Sequence, residues 1–216
     1  KRFFTDIKLN QETIVAHCPN TGSMMGLLDE GNEVFVSKNN DPKRKLKYTL
    51  EIIKVKKNLV GVNTHFANKI AFHGLSNNLV KEVKNTDNIK PEVFFDKETR
   101  FDFLVEKNNQ KTFIEVKNVT LSRKDKLAEF PDAVTSRGSK HLKTLIEATK
   151  KGYKTYLLFL VQIQAVTDFK IAKDIDKEYY ENYLLAKKAG VKFLAYRCKI
   201  SSKEIKIEKK IKIIND

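Results

Sequence analysis

The chain has 216 residues, 41% of them hydrophobic and 32% charged, enough length for one large domain or two small ones around a buried core. No apolar run approaches the roughly 20 residues a membrane span requires, and KRFFTDIKL at the N-terminus has no apolar leader core, so a cytoplasmic, non-membrane protein is expected. Lys and Arg outnumber Asp and Glu 42 to 27, a formal charge of +15 that attracts polyanions, although a Lys-, Asn- and Ile-rich composition accounts for part of that excess.

Residues 1–61 read as short strands, ETIVAHC, NEVFVSK, YTLEIIKV and NLVGV, punctuated by turns at PNTG, DEG and NNDP. Strands this closely spaced suggest a small β-barrel. The loop KNNDPKRKLK carries Lys43, Arg44 and Lys45, either a solvated loop or a contact for phosphates. Phe35 and Tyr48 could stack on bases or belong to the core. In HCPNTGS, His17 to Ser23, the turn residues point backbone N–H groups outward. Such a turn holds an anion or forms a structural corner between two parts of the chain, and turn chemistry alone favours the corner. From Asn63 or Thr64, either a fitting N-cap, the period becomes helical to about Leu75, with Ile70, Phe72 and Leu75 apolar.

Arg100 to Lys117 reads RFDFLVEKNNQKTFIEVK, two apolar runs around a polar turn, hence a β-hairpin. Asp102 interrupts the first strand. Glu115 and Lys117 interrupt the second and, being two apart, share a face. An adjacent strand can bring Asp102 beside them, and charges on apolar strands are costly unless paired or metal-bound. An internal salt-bridge pattern, Glu115–Lys117 with Asp102–Arg100, is the structural alternative. Further on, KHLKTLIEATKK (Lys140 to Lys151) is an amphipathic helix and Tyr153 to Val166 a long apolar strand. Asp176 caps a second helix to Ala189, its inner stripe Tyr179, Tyr183 and Ala186, stopped by Gly190. Val191 to Ile200 returns as a strand, and the Lys-rich EIKIEKKIKII reads as an edge strand. Strands alternating with helices make this an α/β layer fold, α+β over the whole chain. Cys18 and Cys198 stand far apart without a Cys-x-x-Cys unit, so buried thiols are expected rather than a disulfide or zinc site. Ser136 and His141 lack a nucleophile elbow and an evident acid partner, and no phosphate-binding glycine loop is present.

An Asp followed by Glu-x-Lys on the next strand resembles the PD-(D/E)xK nuclease superfamily. The segments EVKNVTL, FPDAVTSRGSKHL, HCPNTGSM, VNTHFANK and LAYRCKIS extend the resemblance over nearly the whole chain, to the SfsA (sugar fermentation stimulation protein A) family. That resemblance implies an OB-like β-barrel over residues 1–62 and a nuclease-like mixed sheet flanked by helices over 63–216. It implies Asp102 and Glu115 as ligands of Mg²⁺ or Mn²⁺, with Lys117 completing the catalytic group. Where the family pattern has a helical acid this chain has His73, a third ligand position that suits Mg²⁺ poorly; a surface histidine is the alternative, and Glu82 is the nearest acid downstream. Arg137, Lys140 and His141 lie where a phosphate backbone could be gripped. The resemblance also implies a DNA-binding regulator of sugar (maltose) metabolism, without a helix-turn-helix to read bases. The competing readings are a Mg²⁺-dependent endonuclease on Asp102, Glu115 and Lys117, and an interaction protein that has lost both metal and nucleic acid.

Overall fold

The computed structural model describes residues 3–214, so the outermost two residues at each end of the expected two-domain division lie outside it. Five strands open the chain: β1 (Phe4–Leu9), β2 (Glu12–His17), β3 (Glu33–Lys38), β4 (Tyr48–Val55) and β5 (Asn58–Gly61). They form one sheet in the order β1-β2-β4-β3, with β5 also paired to β4. The sequence reading missed β1, whose residues are mostly exposed and give no apolar alternation.

Next come helix α1 (Ala67–Ser76), then β6 (Asn88–Phe94), β7 (Arg100–Lys107), β8 (Gln110–Val119), β9 (Leu121–Lys124) and β10 (Leu127–Phe130). Helix α2 (Ser136–Lys150) leads to β11 (Lys154–Val161) and β12 (Asp168–Ile171), and α3 (Lys177–Ala189) to β13 (Lys192–Ile200), β14 (Ile205–Lys210) and β15 (Lys212–Ile213). The main sheet has six strands in the order β14-β13-β11-β8-β7-β6, parallel across β8, β11 and β13. A smaller sheet runs β15-β12-β10-β9. This is a mixed α/β fold, a six-stranded sheet with helices on both faces joined to the five-stranded sheet that opens the chain. Among the described residues no helix is long and apolar enough to cross a membrane.

The apolar run YLLFLV is explained by its place at the centre of that sheet. Leu157, Phe159 and Val161 pack on one face with Leu142 and Leu145 of α2 and Tyr179 and Tyr183 of α3. Leu158 and Leu160 pack on the other with Ile70 and Leu75 of α1. A parallel strand covered on both sides has no polar face to show. Burying these side chains supplies most of the drive for the fold, about 1.5–3 kcal/mol each. Both cysteines are free and buried, and β14 is an outer strand carrying exposed lysines.

The first sheet is joined to the second along β5, where the Gly61 amide donates to the Gln162 carbonyl and the Gln164 amide to that of Leu59, each at 3.0 Å. The HCPNTGS turn is a corner at this seam. Asn20 Nδ2 donates to the Val62 carbonyl (3.1 Å), and Thr64 Oγ1 donates to the Pro19 carbonyl (2.6 Å). The Ser23 amide donates to Asp132 Oδ2 at 2.8 Å, so the carboxylate this turn receives is the protein's own. Gly22 leaves room for it: a Cβ there would collide with Asp132 Oδ2.

Helix α2 starts at Ser136, four residues before the expected Lys140, with Thr135 Oγ1 accepting from the Gly138 amide at 3.0 Å. The polar SRGS segment hides this start, and Gly138 is needed there because a Cβ would sit 3.0 Å from the Tyr179 ring. Asp176 caps α3 as expected: Oδ1 accepts from the Tyr179 amide, and Oδ2 from the Thr135 amide, both at 2.8 Å. One buried carboxylate therefore fixes the starts of both helices. Asp176→Ala removes a cap and leaves the half-buried Thr135 amide without its partner, a loss of about 2–3 kcal/mol in urea denaturation. Asp176→Ser, which can restore only the cap, is expected to fall between.

Candidate functional site

The β7–β8 hairpin turns through Asn108 and Asn109, both with positive φ, a conformation asparagine adopts more readily than most residues. Its ladder pairs Lys107 with Gln110 and continues to Phe103 opposite Ile114. One residue further, the Asp102 side chain takes over: Oδ2 accepts the Val116 amide at 2.7 Å. Along β8, Phe113 and Val119 belong to the core under α2, and Ile114 and Val116 to the core under α1. Strand alternation therefore puts Glu115 and Lys117 on the α2 side.

There Glu115 is only 2% exposed. Its Oε1 meets Lys117 Nζ at 2.8 Å and also contacts His141 Nδ1. Arg137 Nε donates to His141 Nε2 at 3.3 Å. Lys117 Nζ also lies 3.3 Å from His141 Nδ1, so the lysine, the imidazole and the Glu115 carboxylate form one cluster. The acid partner of His141 that sequence reading could not name is thus Glu115, contributed by the sheet. Burial pushes the Glu115 pKa up, but Lys117 and His141 outweigh it and hold the carboxyl below its ordinary range. Glu115 Oε2 is buried and has no hydrogen-bond partner among the described residues.

Asp102 completes the group. Its Oδ1 accepts from Asn68 Nδ2 of α1 at 2.7 Å, and the same amide lies 3.4 Å from Glu92 Oε1 on β6. Burial, then the neighbouring charge of Glu115, raise the Asp102 pKa to about 6, against the lowering effect of the Val116 amide, Asn68 and Lys117. Beneath the site the Tyr179 hydroxyl is buried without a partner among the described residues, and burial followed by the Glu115 charge push its pKa well up.

The expected residues separate into those that meet and those that do not. Asp102, Glu115, Lys117, His141 and Arg137 are linked by the contacts above. Lys140 is exposed and reaches Glu98 in the β6–β7 turn at 3.7 Å. Lys43, Arg44 and Lys45 are exposed on the β3–β4 loop, which is braced by the Lys43 amide on Asp41 Oδ1 at 2.9 Å. His73 is not part of the group: it is exposed on α1, and the residue of that helix touching Asp102 is Asn68. Five residues along a helix is about 140° of rotation from Asn68, so His73 points elsewhere. Glu82 is engaged by the Tyr196 hydroxyl (2.7 Å) and Lys210 (2.6 Å). Of the salt-bridge alternative, Glu115–Lys117 is present, but Arg100 pairs with Glu92 at 2.9 Å and not with Asp102. Asn68 and Glu92 were missed because a search for acids passes over an amide, and because Glu92 lies in a strand with little apolar pattern.

Among the described residues no cage of three or more His, Cys, Asp and Glu side chains is present. Mg²⁺ does not require one, since it is held by one or two carboxylates and keeps several waters. Asp102 and Glu115 offer that number of hard oxygen donors, and the unpartnered Oε2 of Glu115 is a buried acceptor of the kind a cation satisfies.

A family model described as the sugar fermentation stimulation protein RE domain matches residues 65–204, and one described as the SfsA N-terminal OB domain matches residues 1–62. The sugar fermentation stimulation protein homolog of Pelagibacter ubique is 84% identical over 215 residues, covering 100% of this chain and 93% of its own. Its counterpart in Pseudoalteromonas atlantica is 41% identical over 218 residues, covering 99% and 93%. The solved structure of Pyrococcus furiosus SfsA in complex with Ca²⁺ matches in fold with a TM-score of 0.89 at 24% identity, over 100% of this chain and 92% of that one.

Asp102 carries a measurable cost. Below the ordinary aspartate range folded and unfolded chains are both protonated there, and the group is neutral to stability. As pH rises the unfolded chain ionises first, so stability falls until the folded group, with its pKa of about 6, has also ionised. Asp102→Asn can keep only one of the two accepted hydrogen bonds, so the pH dependence is the test: relative to the wild type the variant is expected to gain about 1–2 kcal/mol between mild acid and neutral pH, as followed by denaturant unfolding at several pH values.

Proposed function

The chain belongs to the sugar fermentation stimulation protein family, and we propose that it binds nucleic acid, DNA in preference, and hydrolyses its phosphodiester bonds at Asp102, Glu115 and Lys117 with Mg²⁺ or Mn²⁺ as cofactor. The observation that carries this reading is the buried, unpartnered Oε2 of Glu115 beside a second carboxylate whose pKa is raised. The ion pair with Lys117 and His141 engages Oε1 alone and leaves the second oxygen as an open acceptor. The Pyrococcus furiosus relative was solved with Ca²⁺, another cation that takes oxygen ligands.

Asp102 and Glu115 would hold the cation, which when bound polarises a phosphoryl oxygen and lowers the pKa of a water. The Val116 amide and Asn68 fix the Asp102 carboxylate from two sides. Lys117, 2.8 Å from Glu115 Oε1, brings a positive charge to where negative charge grows on the phosphate. His141 keeps Glu115 ionised and is steadied by Arg137. Arg137 and Lys140 at the start of α2, with Lys43, Arg44 and Lys45 on the first sheet, supply cations for the phosphate backbone. The charge of +15 draws the polyanion in.

A second reading is favoured by Asn68, an amide where a third carboxylate would strengthen the cation site: a DNA-binding regulator of sugar metabolism that does not cleave. Labelled single- and double-stranded DNA with Mg²⁺ or Mn²⁺ decides between them. Metal-dependent cleavage is expected in the wild type, reduced at least about 100-fold in Glu115→Gln and Lys117→Ala, while salt-sensitive DNA binding persists. Binding without cleavage under either metal leaves the regulator; absence of both overturns the nucleic-acid reading.

A further inference from the structure

We propose that the β6–β7 hairpin beside Asp102 stacks an unpaired nucleobase on Phe94, which makes single-stranded or frayed nucleic acid the substrate class of this site. The inference rests on the nucleic-acid reading above and deepens it.

Phe94 closes β6, the outer strand of the six-stranded sheet, and is 65% exposed. Its neighbour Phe95 does the packing, against Phe101, Phe113 and Tyr153. A single exposed phenylalanine is ordinary on a protein surface; the way this one is mounted is not. Arg100 pairs with it across the ladder and sets its guanidinium 5.5 Å from the ring centroid. Arg100 is in turn held by Glu92 at 2.9 Å.

Glu92 has a φ of 55°, uncommon for a residue with a side chain and placed inside a strand. It falls between the Pro91–Phe103 and Val93–Phe101 pairs, opposite Asp102. Its carboxylate lies 3.4 Å from the Asn68 amide that also holds Asp102 at 2.7 Å. Contacts therefore run without a break from the Phe94 ring through Arg100, Glu92 and Asn68 to the candidate cation ligand. Two residues of strand separate Phe94 from Glu92, about 7 Å, roughly the length of one nucleotide.

Charge completes the fit. Arg100 lies over one face of the ring and leaves the other for a base, and Lys140, 3.7 Å from Glu98 in the adjoining turn, adds a cation for the neighbouring phosphate. An aromatic ring backed by a cation is a means by which proteins hold single strands without reading sequence. Bases inside a duplex are already stacked on one another and cannot meet the ring.

The chain contains no tryptophan, so Phe94→Trp introduces a single indole whose emission reports on its own surroundings. This variant is titrated, without divalent metal, with a single-stranded oligonucleotide and with a blunt duplex, each carrying a dye whose anisotropy follows total binding. Quenching of the indole in step with the anisotropy is expected for the single strand and not for the duplex. Phe94→Ala and Phe94→Leu should each lose about tenfold in affinity for the single strand, with duplex affinity unchanged and melting temperature preserved. Binding by anisotropy with unchanged emission, or equal quenching by both forms, overturns the proposal and leaves the nucleic-acid reading standing. No binding of either form overturns both.

Discussion

A carboxylate 2% exposed in the middle of a sheet covered on both faces must have its charge met by neighbours, and around Glu115 the meeting is one-sided. Lys117 and His141 both converge on Oε1, and Oε2 is left buried without a partner. The protein shows elsewhere that it can do otherwise. Glu129 is equally buried, yet Arg123 bonds Oε1 at 2.7 Å and Oε2 at 2.9 Å, and Lys170 lies 3.7 Å from Oε1. Asp176 uses one oxygen on each of two helix starts. Those carboxylates are structural, with every oxygen engaged. Leaving a buried acceptor unpaired costs about 1–3 kcal/mol, and placing Asp102 beside it adds a second unfavourable charge. Such a cost is retained at sites that bind or react.

The rest of the fold serves to hold that group still. Strand β8 is fixed between β7 and β11, and the α2 start that carries Arg137 and His141 is tied to α3 through Asp176. Helix α1 delivers Asn68 from the opposite face. The seam between the two sheets is closed by Asp132 filling the turn at Ser23 and by the β5 bonds to Gln162 and Gln164. The segments HCPNTGSM, VNTHFANK, EVKNVTL and FPDAVTSRGSKHL, far apart in the chain, meet at this seam and at the site.

What could be read from the sequence was what local periodicity fixes. Glu115 and Lys117 share a face because strand side chains alternate, and Tyr179, Tyr183 and Ala186 share one because helices turn every 3.6 residues. The Asp176 cap and Gly190 stop were legible for similar reasons, and the structure has both. His73 was placed by the family resemblance, whose pattern has an acid there, and not by periodicity. Asn68 lies on the same helix, about 140° away, and is the residue that meets Asp102. Strand β6 was invisible because it lies at a sheet edge, carries Pro91 and is largely exposed. The partner of His141 is set by packing between a helix and a sheet, and no spacing in the chain announces it.

The central claim is that Asp102 and Glu115 form a working cation site, and calorimetric titration of Mg²⁺ and Mn²⁺ tests it without relying on turnover. The account expects saturable binding at one site in the wild-type protein, lost in both Asp102→Asn and Glu115→Gln while each variant remains folded. Binding that survives both substitutions, or no binding in the wild type, would contradict it and leave the open oxygen of Glu115 as a feature of packing alone.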